Sequence, residues 1–238
     1  MKKKLLIIIF LLLSYNANAQ ILIALLLGDK LSTGNLEFGL DGGLNLASIN
    51  GIDQAKNITG FNLGFYFDIK LKNPSWMIHT GVIMKSPMGT DNLPVYSLNN
   101  SNLDSAFSGG SVTRNLSYFN VPVMIKYRIK NHFYMEGGVQ FGLMSKAVDE
   151  FANKVKDNDD LTYELKVKDK YNSLDAGVLV GVGYRLLGGN GMNLGVRYYY
   201  GLVDIANDDS TPSQYNRSLY FTVGIPIGAG KAPTESKD

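Results

Sequence analysis

The chain has no cysteine, two histidines and one tryptophan among its 238 residues. The lack of cysteine excludes a disulfide framework, a lipoprotein anchor and any thiolate nucleophile or metal ligand. Beyond the first 20 residues, no apolar run approaches the roughly 20 residues that a membrane-spanning helix needs. The nearest is ILIALLL, from Ile21 to Leu27. Lysine and arginine (23) barely outnumber aspartate and glutamate (21), so no nucleic-acid partner is indicated.

The first 19 residues have the three parts of a cleavable secretory signal peptide. Lys2 to Lys4 form the positive region, Leu5 to Leu13 the apolar region, and Ala17 to Ala19 (ANA) the cleavage site. We expect cleavage before Gln20. Removing the three leader lysines changes the formal charge from +2 to −1, so the basic character of the chain belongs to the leader.

Eight segments alternate apolar residues with polar residues or glycine, a period of two that is typical of strands with two different faces. Short turns (KNPS, KNH, LGGNG) alternate with longer connections at 48–57, 87–114, 147–171 and 204–216. This layout predicts an all-β fold, an eight-stranded antiparallel transmembrane β-barrel. The predicted strands are 36–47, 58–71, 76–85, 121–129, 133–140, 174–185, 193–201 and 218–225. A short segment at the periplasmic mouth (20–35) precedes the barrel (36–228), and a polar tail (229–238) follows it.

The composition of the two faces indicates which one meets lipid. The non-apolar face carries glycine at 39, 43, 60, 64, 81, 138, 142, 177, 181, 183, 195 and 224. Glycine weakens a strand interior, but a narrow barrel has little room inside for side chains. The glycine face therefore points into the lumen and the apolar face to lipid; a soluble lipocalin-like carrier would be the reverse. Aromatic residues are expected at both membrane interfaces. They are Phe38, Trp76, Tyr127, Phe133 and Tyr184 near the short turns, and Phe61, Phe119, Tyr200 and Phe221 near the long loops.

Charges of both signs fall on the lumen face, which favours a paired network that plugs the barrel. A pathway for ions is the alternative. The network members are Glu37, Asp41, Asp68, Lys70, Lys126, Arg128, Glu136, Arg185 and Arg197. The KNH turn has an odd number of residues, which places Lys126 directly opposite Glu136 and predicts a salt bridge between them.

Residues able to carry catalysis are few. His79 on the lumen face is expected to have a hydrogen-bonded structural role, and His132 to be a solvated turn residue. The DNDD run at 157–160 lacks the glycine and distal glutamate of an EF-hand loop. The GVGYRL stretch from Gly181 lacks the last glycine of a dinucleotide fingerprint. We therefore expect no catalytic, cofactor or metal site.

Three stretches resemble the PorT-like outer-membrane β-barrel family of Bacteroidetes, which belongs with porin-family, OmpX-like barrels. They are YFNVPVMIKYRIKNHFYMEGGVQFGLM, LDAGVLVGVGYRLLGGNGMNLGVRYYYGLVDI and NRSLYFTVGIPIG. The resemblance implies an eight-stranded barrel in the outer membrane of a Gram-negative cell, and PorT itself is tied to type IX secretion. Such chains usually end on an aromatic residue, whereas this one continues through Ala229 to Asp238.

Three functions remain open on these grounds. The first is a non-enzymatic envelope scaffold or secretion accessory that acts through its long loops or periplasmic mouth. The second is a narrow pore for small solutes or ions, and the third is a barrel enzyme acting on lipid or peptide. Expected partners are outer-membrane lipid, lipopolysaccharide and envelope or secretion-system proteins, with the barrel itself a monomer.

Overall fold

The computed structural model describes residues 32, 34–52, 55–129, 132–156, 159–186, 191–208 and 212–227. The expected signal peptide, the Ile21 to Leu27 segment and the polar tail lie outside these residues. Within the described part there are nine strands, one short α-helix and one 3₁₀ turn (Lys168–Lys170). They are β1 (Leu36–Asn50), β2 (Ile58–Lys70), β3 (Trp76–Leu93), α1 (Ser101–Ala106), β4 (Ser111–Arg128), β5 (Phe133–Lys156), β6 (Asp159–Lys166), β7 (Leu174–Arg185), β8 (Asn193–Gly201) and β9 (Tyr215–Ile227).

Eight of the strands close into a ring, and every neighbouring pair in it is antiparallel. The ring runs β1-β2-β3-β4-β5-β7-β8-β9 and closes where β9 pairs with β1. The predicted eight-stranded barrel is therefore confirmed. The ninth strand, β6, pairs with the far half of β5 and stands beyond the ring.

The two ends of the ring differ in their connections. The chain passes from β2 to β3, from β4 to β5 and from β7 to β8 at one end, which we call the short-turn end. The other end, the long-loop end, carries α1, β6 and the 202–214 connection. In the KNH turn, His132 takes the left-handed conformation at φ 70°, while Lys130 and Asn131 lie outside the described residues.

Three strands continue well past their predicted ends. The segments 87–114 and 147–171 were expected to be loops, but β3 runs to Leu93, β4 begins at Ser111 and β5 runs to Lys156. In β3 and β5 the cause is an extra residue, which lies between Ile83 and Ser86 in β3 and between Met144 and Lys146 in β5. An extra residue in a strand reverses the alternation, so a period of two ends there although the strand does not. The unbroken alternation of the predicted strand 76–85 would place Lys85 on the lumen face, but the extra residue turns it outward and its side chain is exposed.

The outer face of the ring is apolar and exposed. Apolar side chains project outward from every strand of the ring, while the alternate positions of the same strands are buried in the lumen. Exposed apolar side chains include Leu44, Phe61, Ile69, Val121, Val123, Ile125, Val139, Phe141, Val178, Val180, Val182, Val196, Phe221, Val223 and Ile225. Soluble proteins rarely expose one continuous apolar surface of this kind, so the face requires a partner, and lipid is the partner for a closed ring.

Glycine on the lumen face makes room for tyrosine. A Cβ added to Gly39 would lie 2.3 Å from Cε1 of Tyr66, and one added to Gly183 would lie 2.2 Å from Cζ of Tyr134. Both tyrosines are buried. The tyrosine rings therefore occupy lumen space that a side chain at Gly39 or Gly183 would otherwise fill.

A second apolar core lies at the long-loop end. It is formed by Leu93, Phe107, Val112 and Phe151, where β3, β4 and β5 extend past the ring. The helix α1 packs beside it, and its first turn is capped by Asn100, whose side chain accepts hydrogen bonds from the N–H groups of residues 102 and 103. We call the part beyond the ring, formed by the far ends of β3, β4 and β5 with α1 and β6, the extension. It is a folded unit with its own core.

Candidate functional site

The lumen near the short-turn end holds a connected set of buried charges, which we call the lumen network: Asp41, Asp68, His79, Lys126, Glu136 and Arg197. Arg197 on β8 joins two acids, because its Nη1 lies 2.7 Å from Oδ2 of Asp41 and its Nε lies 2.5 Å from Oε1 of Glu136. On the other side, Nζ of Lys126 lies 2.8 Å from Oδ2 of Asp68. The network thus links strands on opposite walls of the barrel.

His79 joins the two halves of the lumen network. Its Nδ1 lies 2.6 Å from Oδ1 of Asp68, and its Nε2 lies 3.1 Å from Nη2 of Arg197. A guanidinium has only donors, so Nε2 must accept and Nδ1–H must donate, which assigns the neutral imidazole. Because Nε2 is already occupied by Arg197, it is not free to take a proton from a substrate. The prediction that His79 is hydrogen-bonded in the lumen is confirmed.

A smaller cluster lies beside the lumen network. Arg185 on β7 pairs with Glu37 on β1, with Nη2 2.8 Å from Oε2. The hydroxyl of Tyr66 donates to the other oxygen of Glu37 at 3.0 Å. The side-chain amide of Asn193 donates to the same hydroxyl at 3.3 Å. The cluster ties β1, β2, β7 and β8 together at the short-turn end.

Seven of the nine expected network residues lie in these two clusters, and two do not. Nζ of Lys70 donates to the backbone oxygen of Gly34, and Nη2 of Arg128 contacts the sulfur of Met77 at 3.6 Å. Neither makes an ion pair within the described part of the chain. The salt bridge expected between Lys126 and Glu136 is wrong, because each bonds to a residue on another strand.

The lumen is closed at mid-depth. A small cavity of about 10 Å³ lies between Asn62, Gln140, Arg197 and Tyr220, with Ile83 and Leu179 also in its wall. This is about the space that one water molecule needs. Beyond it, towards the long-loop end, an apolar cluster that includes Met88, Leu116, Met144 and Tyr199 fills the barrel. The side chains therefore leave no continuous channel along the described lumen.

A second polar cluster lies at the rim of the long-loop end. Arg114 on β4 bonds to both oxygens of Asp149 on β5, at 2.7 and 2.5 Å, and the hydroxyl of Tyr96 donates to Asp149 at 2.7 Å. Burial, with the hydrogen bond to Asp149, raises the pKa of Tyr96 above its ordinary value. Burial also raises the pKa of Tyr171 to about 12. Nζ of Lys170 lies 5.0 Å from the centre of the Tyr96 ring.

A polar cleft of about 440 Å³ opens beside this rim cluster, between the 3₁₀ turn and the 202–214 connection. Desolvation acts to raise the pKa of Asp204 in that connection, but hydrogen bonds from the N–H groups of Gln214 and Ala206 lower it overall. The sequence interpretation missed the rim cluster because it treated residues 87–114 and 147–171 as loops. The alternation of buried and exposed residues resumes after each irregularity, and following it there would have revealed the cluster.

Of the nine expected interface aromatics, most lie on the outer face. Near the short-turn end, the rings of Trp76 and Tyr127 lie 4.6 Å apart and those of Phe133 and Tyr184 4.9 Å apart. Phe38 is an exception to its expected exposed position, since it is 3% exposed and packs against Phe65 and Phe67. Near the long-loop end, the exposed rings are Phe61, Phe119, Tyr200 and Phe221.

In the described residues, no group of three or more histidine, aspartate or glutamate side chains is arranged to hold a metal ion. Part of the DNDD run (157 and 158) lies outside those residues. Among the described helices, none is long and apolar enough to cross a membrane.

Comparison with known proteins gives a family. A family model described as an outer membrane protein beta-barrel domain matches residues 18–207. No curated protein matches the chain. Among solved structures, Ail, the attachment invasion locus protein of Yersinia pestis, is 13% identical with a TM-score of 0.40, covering 81% of this chain and 99% of that one. Neisserial surface protein A is 14% identical with a TM-score of 0.43, covering 81% and 97%. AlkL, solved in lipid bilayers, is 13% identical with a TM-score of 0.37, covering 85% and 96%.

Proposed function

This chain belongs to the outer membrane protein beta-barrel domain family, and we propose that it is a non-enzymatic outer-membrane scaffold that acts through its long-loop end. Its location in the outer membrane follows from the family. Its role as a scaffold is our proposal. The observation that carries it is the combination of a closed lumen with a folded extension at one end.

The filled lumen supports a scaffold over a pore. An eight-stranded barrel has an interior that side chains can just fill. Here the lumen network fills the short-turn half, and tyrosine, methionine and leucine fill the rest. Conduction would require the bonds of Arg197 to Asp41 and Glu136 to open together with the apolar cluster beyond them.

The extension supports a role in binding another envelope component. β3, β4, β5 and β6 carry the sheet past the ring, and the second apolar core holds α1 against it. Tyr163 and Leu161 of β6 are exposed, and they lie beyond the apolar outer face of the ring. We further propose an accessory role in secretion, on the resemblance of the three quoted stretches to PorT-like barrels.

Conductance of the purified protein in planar lipid bilayers separates the scaffold from the pore. We expect no stepwise conductance above the bare bilayer, while a general porin added to the same membrane gives open-channel steps. Steady conductance steps from this protein alone would contradict the scaffold and support a narrow solute or ion pore.

Site-directed photo-crosslinking in native membranes tests the extension as the binding part. A crosslinkable amino acid at Tyr163, on β6, should give discrete protein adducts. The same group at Val180, which is also exposed but lies on the outer face of the ring, should not give them. The group is also placed at Lys72, in the turn between β2 and β3 at the short-turn end. Adducts at none of the three positions, or only at Lys72, would contradict the assignment.

A further inference from the structure

Arg217, on β9, is an arginine of the outer face that has no acidic partner. Its neighbours along the strand, Asn216 and Ser218, are buried in the lumen, so its own side chain lies on the outer face. Three other arginines form ion pairs with acids of the chain: Arg114, Arg185 and Arg197. Arg217 forms none within the described residues, and its hydrogen bonds there go to backbone oxygens. Its charge acts on Asp175, but that carboxylate is buried in the lumen and bonds to Asn216 instead.

The guanidinium group of Arg217 is held in one orientation. Its Nη1 donates to the backbone oxygens of Gly201 and Asn216, at 2.7 and 2.8 Å, which uses both hydrogens of that nitrogen. Its central carbon lies 3.6 Å from the centre of the Tyr200 ring, which is directly opposite on β8. Nε and Nη2 have no hydrogen-bond partner among the described residues. The arginine is therefore fixed on one side, and the two-nitrogen fork on its other side is unused.

Arg217 lies where the apolar outer face meets the long-loop end. Tyr200 is 47% exposed, and further along β9 on the same face the exposed side chains are Phe221, Val223 and Ile225. In the other direction, β9 begins only two residues away, at Tyr215. Outer-membrane barrels place their long loops outside the cell and carry aromatic residues at both membrane interfaces. Arg217 is therefore at the level of the headgroups of the outer leaflet.

The unused fork of Arg217 fits an anion with two oxygens side by side. Guanidinium groups bind phosphate and carboxylate through two parallel hydrogen bonds, and they also stack on aromatic rings. Ser48 on β1 lies directly opposite Arg217 and points to the outer face, because Ala47 and Ile49 beside it are buried. Its hydroxyl adds a further donor. At headgroup level the anions of lipids are phosphates, and in the outer leaflet of a Gram-negative cell they belong to lipopolysaccharide.

We propose that Arg217, Tyr200 and Ser48 form a surface site for a phosphate group of lipopolysaccharide in the outer leaflet. Nε and Nη2 of Arg217 donate to two phosphate oxygens, while Tyr200 holds the guanidinium group against the barrel. The acyl chains of the lipid then lie along the apolar outer face below the site. The site has no part in the scaffold proposal, and neither proposal depends on the other.

Binding of lipid A, the phosphorylated lipid anchor of lipopolysaccharide, tests the site. The purified protein in detergent is titrated with lipid A or with chemically dephosphorylated lipid A, and the lipid-bound fraction is measured by native mass spectrometry. We expect the wild type to bind the phosphorylated form about tenfold more tightly, because hydrogen bonds between charged groups are among the strong ones. Arg217→Gln removes the charge and the fork, so it should bind the two forms alike. Arg217→Lys keeps the charge without the fork and should keep only part of the preference.

Lys146→Gln is the matched control, because Lys146 is an exposed cation of the long-loop end whose partner is Glu164. It should keep the full preference for the phosphorylated form. If Arg217→Gln does not fold, the wild type and Arg217→Lys decide. Equal binding of the two forms by the wild type, or the full preference in Arg217→Gln or Arg217→Lys, would overturn the proposal. Phosphatidylethanolamine that displaces lipid A equally well would overturn the assignment to lipopolysaccharide.

Discussion

Lys126 lies directly opposite Glu136 across β4 and β5, yet its ammonium group bonds to Asp68 on β2. The register follows from the odd length of the turn and is as predicted. The partner does not follow from the register, because several side chains point into one narrow lumen and compete across it. Glu136 bonds instead to Arg197, whose guanidinium offers several donors to one carboxylate.

Removing the carboxylate of Asp68 should therefore be costly. In Asp68→Asn, Lys126 keeps its charge in a buried site without a counter-charge, and His79 loses an ionic acceptor. We expect a loss of about 3–5 kcal/mol in the free energy of unfolding, measured with urea in lipid vesicles. Glu164→Gln, which breaks an exposed pair with Lys146, should cost less than about 1 kcal/mol. Similar costs for the two variants would show that the Asp68 pair is not a buried one.

Gly183→Ala should destabilise the barrel by overpacking. The new methyl group would meet Cζ of Tyr134 at 2.2 Å and the backbone oxygen of Leu194 at 2.4 Å, and the backbone cannot move aside without disturbing the ring. Overpacking of this kind costs about 1–3 kcal/mol. Gly137→Ala is the control, because a Cβ there meets nothing nearer than 3.9 Å. The free energy of unfolding of Gly137→Ala should be close to that of the wild type. A larger loss in Gly137→Ala than in Gly183→Ala would place the glycine face outside.

The outer face of the ring should reject charge. Val180, which is 50% exposed, lies near the middle of β7 on the apolar face. Lysine there should cost about 2–4 kcal/mol if lipid surrounds it. Leu161 is likewise an exposed aliphatic residue but lies on β6, beyond the ring, so Leu161→Lys should be nearly neutral. The free energy of unfolding of both variants is measured in lipid vesicles. If lysine at Val180 does not lower it, lipid does not surround that face.

Much of the ring could be predicted from the sequence, and the reason is visible strand by strand. β7 and β8 have the predicted bounds, since their alternation is unbroken. The predicted strand 76–85 ends too early, because the irregularity after Ile83 reverses the alternation of β3. Which face a residue occupies depends on its own strand, whereas its partner depends on strands far away. Asp68, 58 residues from Lys126 in the chain, could not be chosen over Glu136 by register alone.

The rim cluster should weaken at high pH. The pKa of Tyr96 is raised in the folded state, so the stability it contributes is present below its unfolded pKa of about 10 and is lost as the pH rises through the folded value. Proteolysis of the extension should therefore quicken above about pH 10 in the wild type. Tyr96→Phe lacks this contribution at every pH, so the wild type's advantage over it should shrink as the pH rises. Tyr163→Phe, at an exposed site on β6, should behave like the wild type.

The absence of cysteine allows the orientation in the membrane to be tested with single introduced thiols. Outer-membrane barrels place short turns in the periplasm and long loops outside the cell. Ser108, which follows α1, is exposed at the long-loop end, and Lys72 is exposed in the turn between β2 and β3. On intact cells, a membrane-impermeant maleimide should label Ser108→Cys at once and spare Lys72→Cys. Opening the outer membrane should then expose Lys72→Cys. Labelling of Lys72→Cys alone on intact cells would reverse the barrel, and would place the extension on the periplasmic side.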